Sequence, residues 1–168
     1  RKIKLLKQRE FIAFAALIII FMAFSLASEN FFTLFNVMNI FRQATINAII
    51  AVGMTFVIIS GGIDLSVGAI VSLSGVMAAM VMGNWGMNSV VGVLCGLIVG
   101  IVIGFINGFV ITKGGVPPII ATVASMTIAK GLALVLTGGR SVTNLPDSFS
   151  VIGRGNIGAL PIPVFIII

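Results

Sequence analysis

The nine residues Ser60-Gly61-Gly62-Ile63-Asp64-Leu65-Ser66-Val67-Gly68 stand between two apolar stretches and leave too little chain for an ordinary surface loop. The upstream stretch, 44–59, makes about 24 Å of helix at 1.5 Å per residue, short of a hydrocarbon core of roughly 30 Å. The span therefore either ends early or carries Gly61, Gly62 and Asp64 into the membrane. Irregular backbone and a carboxyl group persist at that depth only when buried in protein or facing a water-filled cavity. A broken, polar-tipped helix inside a bundle points to passage of a solute.

Composition supports the membrane premise. Apolar residues make up 59% of the chain and charged residues 8%, against about 25% charged in soluble domains. The apolar runs 11–28, 44–59, 65–83, 90–112 and 119–136 are each near the length that spans a bilayer, and another opens at 162 and reaches 168. The expected fold class is all-α: a polytopic membrane helix bundle of about five complete spans plus the start of a sixth, broken around residues 60–68. With the chain stopping inside an apolar run, the expectation is that 11–168 is a fragment of a longer transmembrane domain.

Half of the ten basic residues, Arg1, Lys2, Lys4, Lys7 and Arg9, precede the first apolar run within residues 1–10. Basic residues flanking a first span hold that end in the cytoplasm, so no nucleic-acid partner is needed to explain them. The first run is longer than a signal-peptide core and lacks a small-residue cleavage site, so it reads as a retained anchor. Alternation then returns Lys113 to the cytoplasm and places 84–89 and 137–161 outside, where Arg140 and Arg154 run against the charge rule. Residues 29–43, rich in Phe with Asn36 and Arg42, read either as a segment lying at the interface or as an aromatic belt.

The chain has one cysteine, Cys95, and neither histidine nor tyrosine. No intrachain disulfide or thiolate metal cluster is available, and the commonest general base and transition-metal ligand are missing. No catalytic residues, metal site or cofactor are expected in this chain. There is no Gly-rich Lys-Ser/Thr loop to cradle nucleotide phosphates, so any ATP hydrolysis must come from a partner.

Gly92, Gly96, Gly100, Gly104 and Gly108 recur every fourth residue in the fourth span. Small residues at this spacing let helices approach closely in lipid, either within the chain or between two copies. Lys130, inside the fifth span, either snorkels to the headgroups, faces a path, or pairs with Asp64.

The break has two readings. In one, Gly61-Gly62 ends a helix in the left-handed conformation, Asp64 or Ser66 caps the next, and Gly68 admits a close neighbour. In the other, the paired helix ends meet a hydroxylated solute, as broken helices do in transporters. Asn47, Thr55, Ser60, Ser66, Ser72 and Ser74 then add uncharged hydrogen-bonding groups beside Asp64. Such a lining suits neutral polyols or sugars better than ions.

Asn30-Phe31-Phe32-Thr33, Asn47-Ala48-Ile49-Ile50-Ala51-Val52-Gly53-Met54-Thr55 and Gly61-Gly62-Ile63-Asp64-Leu65-Ser66-Val67-Gly68 strongly resemble the monosaccharide ABC-transporter permeases. Val116-Pro117-Pro118-Ile119-Ile120-Ala121-Thr122 and Gly131-Leu132-Ala133 continue the likeness, which covers about residues 28–145. These permeases belong to the wider branched-chain amino acid/ribose permease family. The resemblance implies the N-terminal half of a permease in the bacterial inner membrane. It also implies a cytoplasmic ATPase subunit, an extracytoplasmic sugar-binding protein and a second permease copy as partners. Residues 137–161, with Arg140, Asp147 and Arg154, then read as a face for the binding protein or as a solvated loop. The alternative function is an ion-gradient-driven secondary transporter using Asp64. An intramembrane enzyme fits poorly, for want of a nucleophile–base pair.

Overall fold

A computed structural model of the chain describes residues 2–158 and 160–167. Its elements are α1 (Lys2–Ala27), α2 (Leu34–Ile59), α3 (Val67–Gly83), α4 (Ser89–Thr112) and α5 (Pro118–Thr137). After them come α6 (Asp147–Arg154), β1 (Asn156–Ile157), β2 (Leu160–Pro161) and α7 (Ile162–Ile167). The strands form a two-residue antiparallel clip, Asn156 opposite Pro161 and Ile157 opposite Leu160, in an otherwise all-helical chain. Two compact units divide at residues 44 and 45, within α2.

In the first unit, Thr33 starts α2. Its hydroxyl donates to Asn30 O (2.8 Å) and accepts from Asn36 N (3.3 Å), while Asn36 Nδ2 donates to Phe31 O (2.8 Å). A capping hydroxyl that takes up a free amide of the first turn favours a helix start at this position. Phe31 packs edge-on against Phe21 and Phe32, with ring centroids 4.9 Å and 5.2 Å apart. From Leu34 onward the segment 29–43 is the opening of α2 and not an element separate from it.

This corrects the length argument made from the apolar stretch alone. Twenty-six residues of α2 make about 39 Å of helix, enough to cross a bilayer unaided. The short helix is α3, whose 17 residues give about 26 Å.

The second unit is built around α3, α4 and α5. Ala69 and Leu73 of α3 and Ala129 and Ala133 of α5 form its buried centre, flanked by Val76, Met77, Val99, Ile103 and Met126. Small side chains at the contact are what helices in lipid need to approach, since lipid is as apolar as any side chain. Gly92, Gly96 and Gly100 turn toward α3. A Cβ on Gly96 would stand 3.0 Å from Ser74 O and 3.3 Å from the Ala78 methyl, and one on Gly92 would strike Met82. Gly104 and Gly108 face open space, as does Gly68, so the close neighbour expected at Gly68 is not there.

The turns are capped by their own residues. Asn88 Oδ1 accepts from Val91 N (3.0 Å) at the start of α4. Pro118 opens α5, where its missing N–H costs nothing. Gly138, at φ 61°, ends α5 in the left-handed conformation while Gly139 N returns to Leu134 O (3.0 Å). The segment 137–161 is not an idle loop, because α6 lies within it and Ser148 Oγ is 2.6 Å from Ser89 Oγ.

Helices α2, α4 and α5 are long and apolar enough to cross a membrane, and Phe11–Ala27 and Val67–Gly83 are shorter apolar helices. Large apolar side chains point outward along them, with Phe105 at 72% and Val135 at 78% exposure. Outward Phe, Ile and Val in such density belong in lipid. The chain is an all-α, polytopic membrane helix bundle.

Candidate functional site

The elbow between α2 and α3 lies within the second unit, and its backbone is irregular for a local reason. Ser60, Gly61 and Gly62 close the last turn of α2 through amides donating to Phe56 O, Ile58 O and Val57 O. Gly61 sits at φ 79°, a conformation that glycine adopts without penalty. The Ser60 hydroxyl donates its hydrogen to Val57 O (2.7 Å), so toward the cavity that Ser60 lines it can only accept.

Asp64 then folds onto the start of α3. Its Oδ1 accepts from Ser66 N (2.7 Å) and from Ser66 Oγ (2.6 Å). Neither capping candidate takes a free amide of α3: Asp64 bonds to Ser66, which precedes the helix. Ser66 occupies the N-cap position with a helical backbone and makes no side-chain cap bond. Its hydroxyl looks the other way as well, accepting from Asn107 Nδ2 of α4 at 3.1 Å. Asn107 Oδ1 in turn accepts from Ser125 Oγ of α5. Four side chains thus run as one donor chain, Ser125 to Asn107 to Ser66 to Asp64, across three helices. Ser66 is fully buried and Asn107 is buried.

A second tie comes from Thr122, also buried. Its Oγ1 accepts from Leu65 N (3.2 Å) and lies 3.3 Å from Ile119 O and 3.5 Å from Ile63 O. The amides of Gly61, Gly62, Leu65 and Ser66 are thus met by protein acceptors, which is what irregular chain at membrane depth requires.

The elbow is recessed. Asn107 stands five residues before the end of α4, about 7.5 Å along its axis, and Ser125 seven residues into α5, about 10 Å. Because Asn107 bonds to Ser66, the residue just before α3, that helix begins more than one turn inside the bundle end. Beside the elbow lies a cavity of about 300 Å³ lined by residues that include Ser60, Gly61, Gly62, Asp64, Asn107, Thr112 and Thr122. Hydroxyl, amide and carboxyl groups, without a basic side chain, give it the chemistry to hydrogen-bond a small uncharged polar solute.

The other residues singled out in the sequence are distributed differently. Asn47 and Thr55 are exposed on α2, and Thr55 Oγ1 donates to its own helix at Ala51 O (2.7 Å). Neither lines the elbow cavity. Lys130 is exposed on α5 and lines a separate cavity of about 590 Å³ together with Ser72 and Arg140, away from Asp64. Asp147 and Arg154 occupy the first and last turns of α6, each at the end whose partial charge it complements. Among the described residues no group of three His, Cys, Asp or Glu is placed to hold a metal ion.

Asn107, Ser125 and the anchoring role of Thr122 escape a reading of the sequence. The run Gly104-Phe105-Ile106-Asn107-Gly108 draws attention to its glycines. The available signal was Asn107 itself, an amide deep in an otherwise apolar helix, where an unpaired polar group is costly.

The site is thus a polar break recessed within an apolar membrane helix bundle. Residues 36–162 match the family model described as the branched-chain amino acid transport system/permease component. The chain belongs to that family. It is 46% identical over 152 residues to a ribose import permease protein of Bacillus subtilis, covering 89% of this chain and 47% of the relative. To the ribose import permease protein of Haemophilus influenzae it is 42% identical over 167 residues, covering 96% and 50%. The L-arabinose transport system permease protein of Escherichia coli is 36% identical over 148 residues, covering 88% and 45%. The chain spans about half the length of these curated relatives. No solved structure gives a significant match.

Proposed function

We propose that the chain forms part of the permease subunit of an ATP-binding-cassette importer that carries a monosaccharide across the bacterial inner membrane. The observation that carries this reading is the recessed elbow, with its hydrogen-bonding cavity free of basic side chains, in a chain 41–46% identical to ribose import permeases. Relatives named for L-arabinose and xylose widen the ligand class to pentoses.

In this reading the N-terminus is cytoplasmic. The elbow, the end of α4 and the start of α5 then lie at the cytoplasmic end of the bundle, with Lys113 beyond them. The importer has a cytoplasmic ATPase subunit, an extracytoplasmic sugar-binding protein and a second permease copy as partners. Arg140, Asp147 and Arg154 belong to the outer face, where an acidic or polar rim of the binding protein is met. Gly104 and Gly108, with no neighbour among the described residues, line the elbow cavity and leave it room. The elbow narrows or widens the cytoplasmic mouth as α3 shifts against α4 and α5.

The test uses sealed vesicles holding the full permease, its ATPase and its binding protein. Ribose uptake that depends on both ATP and the binding protein is expected. Uptake that persists without ATP rules the reading out, and uptake abolished by a protonophore at constant ATP moves it to an ion-gradient transporter.

A further inference from the structure

We infer that Asn107 is the positioning residue of the elbow, setting where the Asp64 segment stands through Ser66. The inference rests on the transport reading for one of its two readouts and on geometry alone for the other. Asn107 is the single side chain in the donor chain that bonds on both sides to other helices. Its Nδ2 donates to Ser66 Oγ at 3.1 Å and its Oδ1 accepts from Ser125 Oγ.

Both groups are needed in their present order. Ser66 Oγ has one hydrogen, which goes to Asp64 Oδ1 at 2.6 Å. It can therefore meet α4 only as an acceptor, and α4 must present a donor. Ser125, whose hydroxyl is 3.1 Å from Ala121 O, can turn its hydrogen either to its own helix or to Asn107. The amide is the one neutral side chain that supplies a donor to one helix and an acceptor to another in a fixed geometry. A chain polarised in one direction strengthens each of its bonds.

Thr122 fixes the elbow backbone to α5 independently, at Leu65 N. Asn107 therefore does not hold the elbow in the fold. It holds the elbow to α4, at the wall of the cavity that Asn107 itself lines. Displacing α4 relative to α5 moves the two ends of the amide's bonds apart, so the Asp64 segment follows relative motion of these helices.

The test uses the full permease assembled with its ATPase and binding protein, in a Cys95→Ala background with Ile63→Cys as reporter. Ile63 is half-exposed on the elbow. Maleimide labelling of the reporter needs no transport. Asn107→Leu is expected to raise the labelling rate and lower ribose uptake, each about tenfold, as for loss of a buried polar contact. In a Ser66→Ala background the same substitution should change neither further, because the two act through one bond.

Multiplicative effects in the double variant would overturn the inference, and so would an unchanged labelling rate. If Asn107→Leu does not assemble, Asn107→Asp and Ser125→Ala carry the test. The first keeps the acceptor and loses the donor, and the second releases α5. Failure of all three to assemble would also overturn it, since the cluster would then hold the fold and not place the elbow. Faster labelling with unchanged ATP-independent uptake supports the inference and defeats the importer reading.

Discussion

Asp64 meets its neighbours through one oxygen, which accepts both the N–H and the hydroxyl of Ser66. Asp64→Asn retains an oxygen at that place, so assembly and transport are expected to remain near normal. Asp64→Leu removes both bonds beside a fully buried serine, at a cost of about 2–4 kcal/mol. Thermal unfolding of the purified permease followed by size-exclusion chromatography should show a large drop for the leucine variant and little for asparagine. An asparagine variant that folds but is inert would give the carboxylate a direct part in translocation. Thr122→Val keeps the shape and loses the acceptor for Leu65 N. It should cost about 1–2 kcal/mol in the same measurement.

Packing of the elements follows from where the glycine strip has neighbours and where it does not. Gly96→Val places a branched side chain against Ser74 O and the Ala78 methyl and should destabilise by about 1–3 kcal/mol through forced separation of α3 and α4. A Cβ at Gly92 would lie 2.5 Å from Cγ and 2.8 Å from Sδ of Met82, itself buried, so Gly92→Ala should destabilise as well. Gly108→Ala meets nothing within this chain. A loss of assembly from that change, read by crosslinking, would locate a contact with another helix. The strip was legible in the sequence as a packing face, and so was the helix end at Gly61. The start of α2 was not, because Phe31, Phe32 and Arg42 look like an interface while the decisive feature is one hydroxyl, Thr33, capping the turn after it. The donor chain was half legible. Asp64 and Ser66 stand together in the sequence, but Asn107 and Ser125 come from 41 and 59 residues beyond Ser66, a distance that no local pattern bridges.

Across the whole molecule, the bundle has two unlike ends. One carries Lys113, the elbow and the paired prolines Pro117 and Pro118; the other carries α6 and the clip of β1 and β2. The basic residues at the start of the chain, ahead of its first apolar run, predict that the Lys113 end is cytoplasmic. In a Cys95→Ala background, Lys113→Cys should react with an impermeant maleimide only after the membrane is opened, whereas Asn84→Cys should react in intact cells. Both residues are exposed at opposite ends of the α3–α4 region, and labelling of both from one side would refute the proposed topology.

The shortness of α3 also sets the width of the barrier. Where α4 keeps water out along about 36 Å, α3 does so along about 26 Å. At the Lys113 end the wettable groups of the elbow therefore stand about 7–10 Å inside the end of α4, so a solute passing beside α3 would have the shorter dry path.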